Sequence, residues 1–238
     1  MNPAHHQVFT LAEAPTDVRA TFIRRTYAHL AGAVLTFVLI EAALFSTGIA
    51  YTIADAIFSW GNIGWLGVLG AFVIGGWLAS SMAHKAESKG QQYAGLGIYI
   101  VLEALIFVPL LAIAMHVAGS PELIYQAGLI TGGLFLGLTA VVFTTKTDFS
   151  YLGGILKIGF LIAIGLIVAG VIFGFNLGLW FSVAMVALAG GAILYTTSKI
   201  LHNYNEDQYV GASLELFAAV ALLFWYVLRI LIALSGRD

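Results

Sequence analysis

Three glutamates and one arginine interrupt long apolar stretches of this sequence. Glu41, Glu103, Glu215 and Arg229 each stand among aliphatic and aromatic residues. A charge at the centre of a lipid bilayer costs roughly 2.5 to 3.5 kcal/mol or more, so such residues are retained for pairing or for function. Carboxylates at membrane depth can bind hard cations such as calcium or line a path for ions. The four side chains are therefore candidates for a polar path.

The spacing of these residues limits how they can act together. In the segment LELFAAVALLFWYVLRIL, Glu215 and Arg229 are fourteen residues apart. On a helix they project within about 40° of each other and about 21 Å apart, so they can face one path but cannot touch. Glu41 and Arg229 fall at similar depths, which allows an ion pair, although an Arg229 that extends to the interface is the simpler hypothesis.

Glu103 lies nearest to the centre of an apolar run and is the most expensive of these charges. Physical chemistry leaves it protonated, paired or hydrated, and argues against a lipid-facing position. A role in a functional network and a purely structural hydrogen bond between helices remain equally open.

The composition places these residues in a membrane protein. Hydrophobic residues make up 61% of the chain and charged residues 9%, and the mean hydropathy is +0.97. The net charge of -2, with no dense Lys and Arg cluster, argues against a nucleic-acid partner, whereas the lipid bilayer is an obligatory one. The absence of cysteine excludes disulfides and thiolate chemistry.

Interruptions by glycine, proline and charged residues divide the chain into seven runs of spanning length. We predict an all-α membrane domain over residues 22–235, preceded by a cytoplasmic tail over residues 1–21. The predicted spans are 22–48, 61–83, 92–117, 122–145, 151–174, 177–201 and 210–235. Gly133 and Gly137, four residues apart, favour close helix packing.

The distribution of basic residues predicts the orientation. Eight of them fall on one side of the predicted bundle, and the loops at 49–60, 118–121 and 175–176 contain none. The eight are Arg19, Arg24, Arg25, Lys85, Lys89, Lys146, Lys157 and Lys199. By the positive-inside rule their side is cytoplasmic, and so is the N-terminus.

The catalytic sets of membrane-embedded enzymes are missing from the sequence. No aspartate lies inside a predicted span, and no His-Glu-x-x-His motif occurs. We therefore expect neither enzymatic activity nor a cofactor, and calcium would be cargo. Whether the protein holds a metal stays open.

Several segments resemble the Bax inhibitor-1, or transmembrane Bax inhibitor motif, family. They are FIRRTYAHLAGAVLTFVLIEAALF, LEALIFVPLLAIA, TDFSYLGGILKIGFLIAIGLIVAGVIF and ILYTTSKILHNYNEDQYVGASLELFAAVALLFWYVLRIL. The resemblance implies seven helices, with six around a central seventh. For some members it also implies a pH-sensitive calcium leak, and for others a link to a membrane-anchored protease or to suppression of cell death.

The chain departs from the family pattern where the resemblance places a pH-sensing aspartate pair. Thr196 of YTTS and Ala219 of the last span stand at those two positions. Lys85 is the nearest counterpart of the basic residue that partners the pair. Glu215, one helical turn from Ala219, offers a single carboxylate in the same region.

Two hypotheses for function stay nearly level. The first is a calcium or cation leak with altered or absent pH gating, and the second is a non-conducting regulator that binds a partner such as a membrane-anchored protease. A membrane-embedded enzyme or proton-coupled transporter is a distant third. Short tails without targeting signals favour a bacterial inner membrane.

Overall fold

The computed structural model describes residues 14–85, 88–145 and 147–236, without the side chains of Asn62, Ile63 and Lys85. The regular secondary structure in these residues is helical. Eight helices follow one another in this part of the chain, and no strand occurs there. They are α1 (Thr16–Ser46), α2 (Ile49–Ser59), α3 (Gly61–Lys85), α4 (Lys89–Ala118), α5 (Glu122–Thr145), α6 (Leu152–Phe173), α7 (Gly178–His202) and α8 (Tyr209–Ser235). All except α2 are long and apolar enough to cross a membrane, which confirms the all-α, seven-span prediction.

Helix α8 is the centre of the bundle. It packs against α1, α3, α4, α5 and α7, and it buries Leu216, Leu223 and Leu228 completely. Helix α6 packs on α3 and α7, and its backbone makes no close approach to that of α8. The central seventh helix implied by the resemblance is therefore enclosed by helix backbones on five sides, and a cavity lies between it and α6.

The share of buried residues separates inner helices from outer ones. In the apolar windows of α4 and α8, 56% and 44% of residues are buried, compared with 17–22% in the other five spans. Because lipid tails are as apolar as leucine, the outer helices can leave Leu129, Leu161 and Trp180 exposed. Glu103 on α4 and Ser213 on α8 thus lie inside the protein.

A close contact between α3 and α4 involves a glycine that the sequence did not single out. A Cβ atom added to Gly95 of α4 would lie 2.5 Å from the Ala79 carbonyl oxygen of α3. By contrast, Gly133 and Gly137 of α5 are exposed and have open space where a side chain would stand. The expectation that this pair packs against another helix of the chain is therefore wrong.

Helix α2 lies where the sequence predicted an irregular outer loop at 49–60. Gly48, with φ of 79°, makes the turn that separates it from α1. Ala50, Ala54 and Ile57 then form one buried face, and α2 packs against α4, α3 and α1. The helical spacing of these three residues was the available signal, but eleven residues are too few to span a bilayer.

Helix α1 begins at Thr16, six residues before the predicted span. Pro15 precedes the first helical residue, and no glycine or proline interrupts the chain between Thr16 and Ala31. The helix therefore continues through its basic residues beyond the apolar run. Residues 1–13 of the predicted N-terminal tail lie outside the described residues.

Candidate functional site

A cavity of about 1060 Å³ separates α6 from α8, and α3, α4 and α7 complete its walls. Glu103, Glu215 and Arg229 all line it. Three of the four residues predicted for a polar path thus share one space, at successive depths along the central helix. We call the end of the bundle that carries Lys89 and Lys199 the basic end.

Glu215 is held by two basic side chains. The Lys199 ammonium group lies 2.9 Å from Oε2 and 3.1 Å from Oε1 of the carboxylate. His84 Nε2 lies 3.0 Å from Oε1. Only 20% to 28% of each of the three side chains is exposed, so water screens the pairs weakly. We refer to His84, Lys199 and Glu215 as the charge cluster.

The hydrogen bonds of His84 identify its charge state. Nδ1 lies 2.8 Å from the Ser80 carbonyl oxygen, and Nε2 faces the Glu215 carboxylate. Both of these partners are acceptors, so both ring nitrogens donate, which is the hydrogen-bonding pattern of the imidazolium form. The charge cluster therefore combines one negative charge with two positive ones.

Three helix ends bring the charge cluster together. His84 lies in the last turn of α3, Lys199 near the end of α7 and Glu215 in the second turn of α8. Gly211, one turn before Glu215, makes room for the imidazole, since a Cβ atom there would lie 2.7 Å from a ring carbon of His84. Sequence reasoning missed His84 as a partner and used Lys199 only for orientation. The sequence does show that two predicted spans end in a basic residue at about the depth of Glu215, and this pattern could have indicated the pairing.

The predicted basic counterpart, Lys85, ends α3, but its side chain is outside what the structure describes. Its neighbour His84 makes the contact with Glu215. Because successive residues of a helix point in directions about 100° apart, an alignment uncertain by one residue selects a different side chain.

Glu103 lies inside the bundle at mid-span, with 6% of its surface exposed. Tyr99, one turn earlier on α4, is its polar neighbour. Both residues line the cavity. Glu103 thus has a polar neighbour on its own helix and faces the cavity. A lipid-facing position, which the cost of a charge in lipid also argues against, is excluded.

Glu41 lies apart from this arrangement. It is buried, with 7% exposed, and neither carboxyl oxygen has a hydrogen-bond partner among the described residues. It does not line the cavity into which Arg229 projects. The hypothesis of an ion pair between Glu41 and Arg229 is therefore wrong, since Arg229 faces the α6 side of the central helix and Glu41 does not reach that space.

Thr196 and Ala219 line the same cavity. Both are buried, with 5% and 6% exposed. The two positions at which the resemblance places carboxylates thus hold a hydroxyl and a methyl group. Apart from Glu103 and Glu215, no acidic residue lines the cavity in the described part of the chain.

Tyr204 lies in the connection between α7 and α8 and covers the charge cluster at the basic end. Its ring centroid is 5.0 Å from the Lys199 ammonium nitrogen, and 4% of the residue is exposed. Burial, together with the neighbouring Glu215 carboxylate, raises the pKa of the Tyr204 hydroxyl. Tyr204 therefore stays uncharged and adds no second anion to the cluster.

A second polar contact fixes the connection between α5 and α6 to α7. The Ser198 hydroxyl donates to Asp148 Oδ1 at 3.2 Å and accepts from the Phe149 amide at 2.9 Å. The Ser150 hydroxyl and amide also donate to Asp148 Oδ1, at 2.5 and 2.9 Å. These hydrogen bonds, with that of the Ser150 side chain first, lower the pKa of the Asp148 carboxyl. Ser198 ends the YTTS segment, so this segment also has a structural role.

Seven apolar helices, the last of which is the central α8, define an integral, multi-pass membrane protein. Residues 19–236 match the sequence profile of the family described as inhibitor of apoptosis-promoting Bax1. Because the match covers nearly the whole chain, the protein belongs to the Bax inhibitor-1 family. The resemblance seen in the sequence is thus confirmed.

The chain is similar to relatives from fungi, bacteria and animals. Bax inhibitor 1 of Schizosaccharomyces pombe is 32% identical over the whole of this chain and 86% of its own length. The modulator of FtsH protease YccA of Escherichia coli is 33% identical over 51% of this chain and 55% of its own length. Protein lifeguard 4 of Mus musculus is 27% identical over 60% of each chain.

Proposed function

We propose that this protein regulates another protein of its membrane and does not operate as a pH-gated calcium leak. The observation that carries the proposal is the charge cluster, in which Lys199 and His84 occupy the carboxylate of Glu215. No free carboxylate pair lines the cavity among the described residues.

The electrostatics of the cavity oppose the passage of a cation. Two unit charges about 4 Å apart interact by about 4 kcal/mol at the effective dielectric near a protein surface. A calcium ion that approached Glu215 would meet Lys199 and His84 at similar distances, so the repulsion would exceed the attraction. Lys157 and Arg229 are the two basic residues of the lining itself. Calcium is bound at sites rich in free oxygen ligands, which this end of the cavity lacks.

The proposed partner is a membrane-anchored protease of a bacterial inner membrane. One similar protein, from Escherichia coli, is named a modulator of FtsH protease, and its counterpart in a second strain of that species is named an inner membrane protein. These names support the choice of partner and membrane. The regulator itself would need no catalytic group, and its N-terminus would be cytoplasmic under the positive-inside rule.

Isolation of complexes from native membranes tests this proposal. The full-length chain with an affinity tag is cross-linked in its own membranes, solubilised and purified, and an unrelated seven-helix protein with the same tag is the control. We expect a membrane-anchored protease to be enriched with this chain and not with the control. We also expect the protease to degrade its membrane substrates at a changed rate when the chain is deleted. Equal recovery with the control and unchanged degradation would contradict the proposal.

A cation leak is the second candidate, because Glu103, Glu215 and Arg229 line one cavity along the central helix. This candidate predicts calcium entry into proteoliposomes, which Glu103→Gln would reduce because the acid at mid-span is lost. Glu41→Gln is the matched control, since Glu41 is also buried but lies outside the cavity. Equal flux from both variants, or no flux above that of empty vesicles, would count against a leak through this cavity.

A further inference from the structure

Arg229 is a cation with no acidic partner among the described residues, and it lines a largely apolar cavity. It is half-buried, and no described acidic group lies within 4.0 Å of its guanidinium. Glu215 lines the same cavity but is about 21 Å away along the helix. Since an unpaired charge out of water is costly, an anion that binds Arg229 would relieve a cost that the chain leaves uncompensated.

The dimensions of the cavity limit what can fill it. Its lining extends along α8 from Leu214 to Arg229, about 22 Å of helix. Spread over that length, a volume of about 1060 Å³ gives a mean cross-section of about 50 Å², or a width of about 8 Å. A helix with its side chains is about 10–12 Å across and is too wide. A slender, flexible chain of comparable length fits the space.

The cavity adjoins the lipid-facing surface of the bundle. Val73 and Trp77 of α3 and Ile164 of α6 line it, and they are 59%, 68% and 53% exposed. Most of the other lining residues between the two ends are aliphatic or aromatic. An apolar chain can therefore pass between the bilayer and the cavity at the edge between α3 and α6, without crossing a charged rim.

We propose that this cavity binds an anionic phospholipid, with its phosphate on Arg229 and one acyl chain along α8 towards Ala219. Guanidinium binds phosphate through two parallel hydrogen bonds, which a lysine cannot supply. Trp225 and Tyr226, one turn before Arg229 on α8, line the cavity with it, as do Asn176 and Leu177 of the connection between α6 and α7, and none of the four is acidic. A headgroup that carries an ammonium group would find no carboxylate there, so the site prefers a headgroup whose only charge is negative.

Lipid retention measured by native mass spectrometry tests the proposal. The purified chain is delipidated in detergent and titrated with phosphatidylglycerol, phosphatidylcholine or glycerol 3-phosphate. We expect one phosphatidylglycerol to bind at least tenfold more tightly than phosphatidylcholine, a difference of about 1.4 kcal/mol or more. Arg229→Gln should abolish that preference, and Ala218→Phe should weaken binding of both lipids because the ring fills the acyl-chain space.

Lys157→Gln is the matched control, because Lys157 is also a cation in the lining but is exposed on α6. It should bind phosphatidylglycerol as the unchanged chain does. Equal binding of the two lipids by the unchanged chain would overturn the proposal, and this comparison needs no variant to fold. Full preference in Arg229→Gln would overturn the position of the headgroup. If glycerol 3-phosphate bound as tightly as phosphatidylglycerol, the site would bind phosphate without using the acyl chain. That result would also overturn the proposed lipid site.

Discussion

Glu215 owes its behaviour to Lys199 and His84, both of which approach its carboxylate within 3.0 Å. A half-buried carboxylate needs compensation, and here the compensation comes from the chain itself. Glu215 is the nearest substitute for the two missing aspartates, and because of this pairing its carboxylate is not free to bind a cation. This pairing is the reason to prefer a regulatory function to a conducting one.

Lys199→Met tests the strength of this pairing. Methionine keeps most of the apolar volume of the lysine stem but leaves Glu215 with His84 alone. We expect the free energy of unfolding in detergent to fall by about 1.5 to 3 kcal/mol, the range for hydrogen bonds to charged groups. Thermal unfolding of the purified protein measures it.

Lys157→Met is the control for Lys199→Met, because Lys157 is exposed and has no described ion pair. In the background of Glu215→Gln, the Lys199→Met substitution should cost less, since the carboxylate that needs a partner is gone. Equal losses with and without the Glu215 carboxylate would contradict the pairing.

Asp148 gives the fold a dependence on acid pH. Its hydrogen bonds with Ser150 and Ser198 lower the pKa of its carboxyl in the folded protein. A group with a lowered pKa stabilises the fold above its ordinary pKa of about 3.9, and this contribution is lost as the pH falls through the folded value. Asp148→Asn should therefore reduce stability near neutral pH and flatten its decline in acid.

The pH profile of thermal unfolding checks the Asp148 prediction. The matched control is Asp55→Asn, because Asp55 is an exposed aspartate of α2 with no described hydrogen bond. The decline of the unfolding temperature at acid pH should be the same in this control as in the unchanged chain. If Asp148→Asn also left this decline unaltered, the carboxyl of Asp148 would not hold the connection between α5 and α6 to α7.

At the scale of elements, the contact between α3 and α4 depends on Gly95. A methyl group there would overlap Ala79 and the Ala83 backbone, so the two helices must separate. Gly95→Ala should lower stability by about 1–3 kcal/mol, the usual effect of overpacking, despite the better helix propensity of alanine. Gly97→Ala, two residues away in open space, is the control and should be neutral or stabilising.

Thermal unfolding of these two variants decides the role of Gly95. If Gly95→Ala were as stable as Gly97→Ala, the closest approach of α3 and α4 would lie elsewhere.

The seven spans could be predicted from the sequence because length and hydropathy are local properties. Helix α2 could not, since eleven residues with a buried face of Ala50, Ala54 and Ile57 resemble a connection between spans. The charge cluster could not be found either, because His84 and Glu215 are 131 positions apart. Which basic side chain reaches Glu215 depends on the rotation of three helices about their axes, which a single sequence does not contain.

At the scale of the whole molecule, the central helix is enclosed by helices on five sides and by the cavity on the sixth. The charge cluster lies towards the basic end of that cavity, Glu103 at mid-span and Arg229 towards the other end. The lining itself carries Lys157 and Arg229 against Glu103 and Glu215, and His84 and Lys199 add two further positive charges where they contact Glu215. This arrangement supports the proposed anionic lipid in the cavity and the proposed protein partner rather than a path for calcium.

Calcium entry into proteoliposomes, followed from weakly acidic to weakly alkaline pH, distinguishes a regulator from a pH-gated calcium leak. The unchanged chain is compared with empty vesicles, and a calcium ionophore shows that the vesicles are sealed and the indicator responds. The charge cluster predicts entry at the level of empty vesicles over the whole range, because Lys199 and His84 occupy Glu215, the one described carboxylate that lines the cavity near its basic end. Entry above that level, with a rate that changes with pH, would contradict the account.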